Sequence, residues 1–347
     1  MLDTRKAQEL DLVEILEDFP EYDIKKGEIG VVVEAFDNPD EAYDLEFVDE
    51  SGTSSRFAYS VKPNQIRSAD ETAEEAFKRG IDLFNASRHV EAEKEFNMAI
   101  DLKPEYLTML HNLTIKYYVN SQDWLRAIVA FRFLLRLDSE YKAARDNLAR
   151  AYLNFGIQQA RNENIKGALD LFYSALAVES APETEAFIKR SLVTAYTELG
   201  ICKRKEGELE RSVEYMAHAC SIDPNEHTRR NLGLAYSFLG NSRLKEKEFS
   251  KAVFFFELAE DAGAIFPALY NNHATALAVL GEVDEAVRLF EEALKLAPDY
   301  EIAKENLNQL QMGSVEQMRQ FVSSIAEIES DFDPAPPMQT QEYRQAA

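Results

Sequence analysis

The stretch GIDLFNASRHVEAEKEFNMAIDLKP, residues 80–104, carries a pattern that the chain repeats. Gly80, Ala92, Phe96, Ala99 and Pro104 are separated by steps of 12, 4, 3 and 5. The same steps link Gly200, Ser212, Met216, Ala219 and Pro224, and again Ala274, Ala286, Phe290, Ala293 and Pro298. Gly156, Ala168, Phe172, Ala175 and Ser180 follow them, as do Gly240, Ala252, Phe256, Ala259 and Ala264. A sixth set, Ile115, Ala127, Phe131, Leu134 and Ser139, has a large residue in the first place. Two antiparallel helices joined by a short turn bring residues equidistant from that turn together, so small residues at both places let the backbones approach. The aromatic four residues later is expected to fill the gap to the next helix. Proline closes the second helix and opens the next unit.

Six such matches are the signature of stacked helical hairpins. Residues from about Ala73 to Leu310 resemble the tetratricopeptide repeat family on these motifs. The resemblance implies a right-handed α-solenoid whose first helices line a concave face. The small residue of the second helix advances through 92, 127, 168, 212, 252 and 286, so the three middle repeats are longer than the outer ones. Two registers are open. Asn231-Leu232-Gly233 also reads as a first-helix motif, seven residues ahead of Gly240. The 12-residue hairpin spacing favours the other choice, in which the first helices of repeats three to five gain about two turns at their N-terminal ends. At ~1.5 Å per residue these would project roughly 10 Å.

Before the repeats the period is two. Leu12–Leu16, Gly30–Phe36, Tyr43–Val48 and a strand around Phe57-Ala58-Tyr59 alternate, with a turn at Asp49–Gly52 and a one-turn helix at Pro63–Ile66. Gly27 and Gly30 flank the second strand, where a bend or bulge is expected. The spacing suggests a small SH3-like all-β barrel of the open kind. Leu12 to Arg67 resembles a bacterial family known as domain of unknown function 4926, on Pro20-Glu21-Tyr22, Lys26 to Val32 and Glu46-Phe47-Val48. That resemblance brings no activity with it.

The expected organisation is therefore a mainly α chain. A β-barrel domain spans 1–70, and a repeat array with a capping helix at Tyr300–Gln311 (Ile302, Leu307 and Leu310 inward) spans 71–312. An amphipathic helix then covers 313–330, and a patternless tail 331–347.

Composition excludes several functions. The formal charge is −24, which opposes general binding to nucleic acid or anionic lipid. Arg56, Lys62 and Arg67 are few against eighteen acids in residues 1–70. No apolar run approaches a membrane span, Met1 to Glu9 lacks a signal-peptide pattern, and Cys202 and Cys220 read as reduced thiols of a cytoplasmic protein. His89, His111, His218, His227 and His273 are scattered, with no metal spacing, phosphate loop or nucleophile elbow. His89 reads as a packing residue. Neither enzymatic activity nor a cofactor is expected.

Two features equip a concave face. Asn112, Asn147, Asn231, Asn272 and Asn306 recur near the small-residue step. In relatives of this kind such a ladder bonds the backbone of an extended peptide, since an amide donates and accepts at once; equally, asparagine is common at this place in the repeat. The second feature is positive charge. Residues 142–251 carry 17 bases and 15 acids in an otherwise acidic chain. Arg145, Arg150, Lys189, Arg190, Arg229 and Arg230 lie early in the long first helices, and Lys203-Arg204-Lys205, Arg243, Lys245 and Lys247 near their ends. The family's carboxylate clamp is absent, because Phe77, Ile81 and His111 occupy comparable places. Two readings follow. One is a scaffold or adaptor holding an extended or acidic segment of a protein partner. The other is a regulatory sensor whose array changes curvature on binding a peptide. The acidic barrel, or Glu327, Glu329, Asp331 and Asp333 at the start of the tail, is a possible internal occupant of the same basic face.

Overall fold

The computed structural model describes residues 6–37, 40–48 and 55–312. The expected turn at 49–52, the amphipathic helix of 313–330 and the tail lie outside the described residues. The chain forms two compact units that divide at Ala144/Arg145.

The first unit opens with five strands, β1 (Leu12–Ile15), β2 (Ile29–Phe36), β3 (Ala42–Val48), β4 (Ser55–Val61) and β5 (Ile66–Ser68). They make one antiparallel sheet in the order β4-β3-β2-β1-β5. Alternation sends Val13, Ile15, Val32, Leu45, Phe47, Ala58 and Val61 into a single core. A one-turn helix at Pro63–Gln65 separates β4 from β5, as the sequence predicts. The edge strands β4 and β5 do not pair among the described residues, so the barrel is a five-stranded open sheet. Gly27 takes φ +91° in the turn before β2. Gly30 does something other than bend the strand: a Cβ there would stand 2.7 Å from the Phe47 ring. The bulge falls further on, between Val32 and Glu34.

Two hairpins complete this unit. The first pairs α1 (Ala69–Asn85) with α2 (His89–Leu102). The second pairs α3 (Glu105–Thr114), prolonged by a π turn at Ile115–Val119, with α4 (Trp124–Leu137). Glu14 of β1 joins the sheet to α1. It accepts from the Thr72 hydroxyl and from Arg67, whose other nitrogen reaches Glu75. Burial pushes the Glu14 carboxyl up, but the Thr72 and Arg67 hydrogen bonds outweigh it and hold the group below the usual range.

The second unit contains α5 (Lys142–Arg161) with α6 (Ile165–Leu176), and α7 (Pro182–Lys205) with α8 (Leu209–Ile222). It continues with α9 (Glu226–Lys245) and α10 (Phe249–Asp261), α11 (Pro267–Leu280) and α12 (Val283–Leu296), and a last helix α13 (Glu301–Gln311). The hairpin register follows the 12-residue spacing. Gly156, Gly200 and Gly240 each lie five residues before the end of their helix, so the extra turns of α5, α7 and α9 are N-terminal. Those turns do not project free. Leu148, Thr184, Ile188 and Thr228 within them are buried.

The aromatic of the second helix behaves differently from expectation. It does not merely bridge to the next helix but sits on the glycine of its own hairpin. A Cβ at Gly156 would meet the Phe172 ring at 2.5 Å, at Gly200 the Met216 methyl at 2.7 Å, and at Gly240 the Phe256 ring at 2.6 Å. Phe96, Phe131, Phe172, Met216, Phe256 and Phe290 are all fully buried; burying such a side chain contributes about 2 kcal/mol. Ser212, at the small-residue place of α8, donates its hydroxyl to the Gly200 carbonyl at 2.8 Å. In α13 the inward stripe is Ala303, Asn306, Leu307 and Leu310, whereas Ile302 faces outward.

Candidate partner-binding face

The first helices of the second unit carry an unusual density of buried polar groups. Asn147, Arg150 and Asn154 lie on α5, Ser191, Thr194 and Thr197 on α7, Asn231, Ser237 and Asn241 on α9, and Asn271, Asn272 and Thr275 on α11. Buried polar groups need partners. In the last hairpins the partners are one another. Asn306 donates to Asn271 at 2.9 Å, Asn271 to Asn272 at 3.0 Å, and Asn272 to Asn241 at 2.7 Å. This relay ties α13, α11 and α9 through four amides. Asn272 and Asn306 are thus joined through Asn271, and Asn241 accepts at the far end of the relay; Asn241 and Asn271 escaped the sequence reading, for which the adjacent pair Asn271-Asn272 was the available signal. Asn231 is buried on α9 and Asn147 on α5. Asn112 belongs to the first unit, on α3, where it is half-buried beside His111. His111 is fully buried between the Phe131 and Tyr141 rings, and burial pushes its imidazole below the usual range.

The cations divide into two kinds. Arg150 is buried and bonds Asp146 at 2.8 Å; the same Asp146 accepts from the Ala181 amide at 3.1 Å and the Thr184 hydroxyl at 2.8 Å. Arg150 therefore holds the carboxylate that anchors the start of α7. Removing it would leave a half-buried charge without its counterion. Arg145 pairs with Glu179. At the C-terminal ends of the long helices, Lys203 lies between Glu206 and Glu208, and Arg243 among Glu210, Glu246 and Glu248. Arg204 stacks over the Phe238 ring at 4.8 Å. Lys203 and Arg243 are thus locally neutralised.

The early cations of α7 and α9 are exposed. Lys189 meets Glu185 one turn away at 2.6 Å, and the Arg190 guanidinium lies 4.1 Å over the Phe187 ring. Arg229 and Arg230 stand at the solvent surface of the first turns of α9. Cations in the first turn of a helix oppose the macrodipole, at about 0.3–1 kcal/mol each. On α7, Glu198 is the one carboxyl pushed up by burial alone, although part of its surface reaches solvent.

Other chemistry is sparse. No group of three or more His, Cys, Asp or Glu is placed to hold a metal, and no helix is long and apolar enough to cross a membrane, among the described residues. Arg56 bonds Glu28 and the Asp23 carbonyl, and Arg67 bonds Glu14 and Glu75, so these two sheet cations are engaged within their own unit. Cys202 is exposed and donates to Glu206, which raises its thiol above the usual range.

Comparison with known proteins locates the same two parts. Residues 9–67 match the family described as Domain of unknown function (DUF4926). Residues 193–226 and 267–300 match the family described as Tetratricopeptide repeat. The first of these matches begins eleven residues into α7, leaving the extra turns outside the repeat unit. No curated protein matches the chain significantly. Among solved structures, the first TPR of Spaghetti (RPAP3) bound to the HSP90 peptide SRMEEVD is 22% identical, covers 35% of this chain and 93% of its own, with a TM-score of 0.28. The TPR2AB domain of yeast Sti1 in complex with an HSP90 peptide is 16% identical over 73% of this chain and 99% of its own, TM-score 0.25. Pseudomonas aeruginosa pilF is 14% identical over 71% of this chain and 99% of its own, TM-score 0.27.

Proposed function

We propose that this chain, which carries tetratricopeptide repeats behind a DUF4926 domain, is a non-catalytic interaction scaffold that holds an acidic, extended segment of a protein partner. The segment lies along the early turns of the long first helices, against Lys189 and Arg190 of α7 and Arg229 and Arg230 of α9. The observation that carries this reading is the contrast between the two ends of those helices. Lys203 and Arg243 at the C-terminal ends are each held between glutamates, at an end that the dipole favours for cations. Arg229, in the first turn of α9 where the dipole disfavours a cation, and Arg230 just beyond it stand exposed at the opposite end, in an acidic protein. A local choice that works against folding points to a task outside folding. The buried amide relay then serves to hold first helices in register.

The test is fluorescence anisotropy of a labelled, glutamate-rich extended peptide titrated with the full chain. Saturable binding that weakens steeply between 50 and 300 mM salt, together with at least tenfold loss when Lys189, Arg190, Arg229 and Arg230 are all changed to Glu, supports the reading. Equal binding of an uncharged peptide of the same length contradicts it.

A further inference from the structure

The first unit contains a cavity of about 910 Å³ between its two hairpins, within the size range of small-molecule sites. We propose that this cavity binds a compact amphiphile with an aromatic or branched aliphatic body and a single anionic end. The site is separate from the partner-binding face and stands or falls independently of it.

The walls are largely apolar, with five Phe and Tyr rings among them. Phe84 of α1 and Phe133 of α4 meet edge to face at 5.1 Å, and Leu110, Leu113 and Tyr118 close the side formed by α3 and its π turn. Tyr117, Leu125 and Val129 ring the mouth and are 59%, 64% and 47% exposed. Large apolar side chains exposed around an apolar hollow mark a binding site more often than chance surface. A second observation is the wall itself. The hairpins meet along a shorter line here than the hairpins of the second unit meet one another. The intervening first helix carries the π turn at Ile115–Val119, a local geometry frequent at functional sites. Hairpin two is also the one with isoleucine in the small-residue place.

The anionic end follows from charge. Residues 110–137 carry Lys116, Arg126, Arg132 and Arg136 against a single acid, Asp123, in a chain of net charge −24. Two of these cations border the cavity walls. Arg126 lines it and the Lys116 ammonium lies 5.3 Å over the Tyr117 ring, whereas Arg136, over the Phe133 ring, is paired with Glu93. Asp123 is divided, since it caps α4 through the Arg126 amide at 3.2 Å while its other oxygen stands 3.4 Å from the Arg126 guanidinium. The Tyr118 hydroxyl donates to Asn85 at 3.2 Å, giving the lip one polar pair for a carboxylate or its water. An apolar body is desolvated inside, and the charged end stays at a basic, wet rim.

The experiment uses the full chain and two probes that share one apolar body, 2-naphthoate and uncharged 2-naphthalenemethanol, followed by isothermal titration calorimetry. Saturable binding of both is expected, with naphthoate at least threefold tighter at 50 mM salt. Arg126→Gln should erase that preference while leaving the affinity of the neutral probe unchanged. Ala130→Leu, which fills the hollow, and Val129→Trp, which blocks the exposed mouth without touching the core, should each weaken both probes at least tenfold with an unaltered circular dichroism spectrum. Should Ala130→Leu fail to fold, Val129→Trp alone decides. Absence of saturable binding by either probe, or full affinity retained in Val129→Trp, overturns the site. A charge preference that survives Arg126→Gln overturns the anionic ligand class.

Discussion

Hairpins two and five are built on the same spacing, and the difference that matters falls at the first place of the motif, Ile115 in one and Gly240 in the other. In hairpin five, α9 has glycine at two places seven residues apart, and each is occupied by something. Gly240 receives the Phe256 ring; at Gly233 a Cβ would stand 2.7 Å from the Ala264 Cβ and 2.8 Å from the Ala259 carbonyl. The helix is thereby pressed against α10 along its length. In hairpin two the corresponding place is Ile115, and the first helix turns π from that residue onward. The lesson is that the repeat spacing specifies which residues face each other, while the size of one side chain decides whether the helices close or leave room. Hairpin five closes. Hairpin two leaves room.

The comparison is broken most severely at Gly233. Gly233→Ala places a methyl against backbone, which does not move aside, and should cost about 3 kcal/mol despite a gain of ~1 kcal/mol in helix propensity. Urea titration of the full chain with a tryptophan-free signal such as circular dichroism reads it; an unchanged midpoint would show that the close approach is loose. Gly240→Ala should cost less, about 1–2 kcal/mol, because a ring can tilt. Gly200→Ala is the smallest of the series. The atom in the way is the end of the flexible Met216 side chain, so propensity and overpacking nearly cancel. Gly200→Leu, by contrast, should overpack by about 1–3 kcal/mol.

Two carboxylates sharpen the contrast by pH. Glu14, held low in the first unit, contributes stability that is present above its unfolded-state value and lost as pH falls through its lowered folded value. Glu14→Gln should therefore destabilise at neutral pH, with the difference vanishing in acid. Glu198, raised in the second unit, has the opposite sign. Stability falls as pH rises from its unfolded to its folded value, so Glu198→Gln should stabilise near neutrality and leave the acid end unchanged. Thermal melts of both variants from pH 3 to 7 check the two signs together. We also propose that residues 71–330 fold without the sheet, since repeats contact mainly their neighbours. Deletion of residues 1–70 should preserve the helical signal per residue; its loss would make the Glu14–Thr72 and Arg67–Glu75 contacts an obligatory cap.

Much of this was legible in the chain because spacing survives translation into structure. The 12-residue step placed every hairpin loop, and alternation placed Val13, Ile15, Val32 and Leu45 in the sheet core. Side-chain partners were less legible. Nothing in the spacing told that Phe172 and Phe256 lie on Gly156 and Gly240 of their own hairpins, because the ring's direction depends on rotamer rather than on sequence distance. Arg150 looked like a surface cation, and only the three-dimensional position of Asp146 reveals it as an internal strut. Asparagine read as a peptide ligand is, in Asn272 and Asn306, a ligand of other asparagines. Charge was legible as a total but not as placement: Arg243 sits among three glutamates at the C-terminal end of α9, whereas Arg229 and Arg230 stand exposed near its start.

That separation is the claim most open to direct test. Two variants should be compared in one titration with the glutamate-rich peptide at 50 mM salt. The first has Glu at positions 189, 190, 229 and 230; the second has Gln in place of Lys203 and Arg243, the paired cations at the other ends of the same helices. The first is expected to lose at least tenfold in affinity and the second less than twofold. Equal losses, or a larger loss in the second, would contradict the assignment of binding to the early turns.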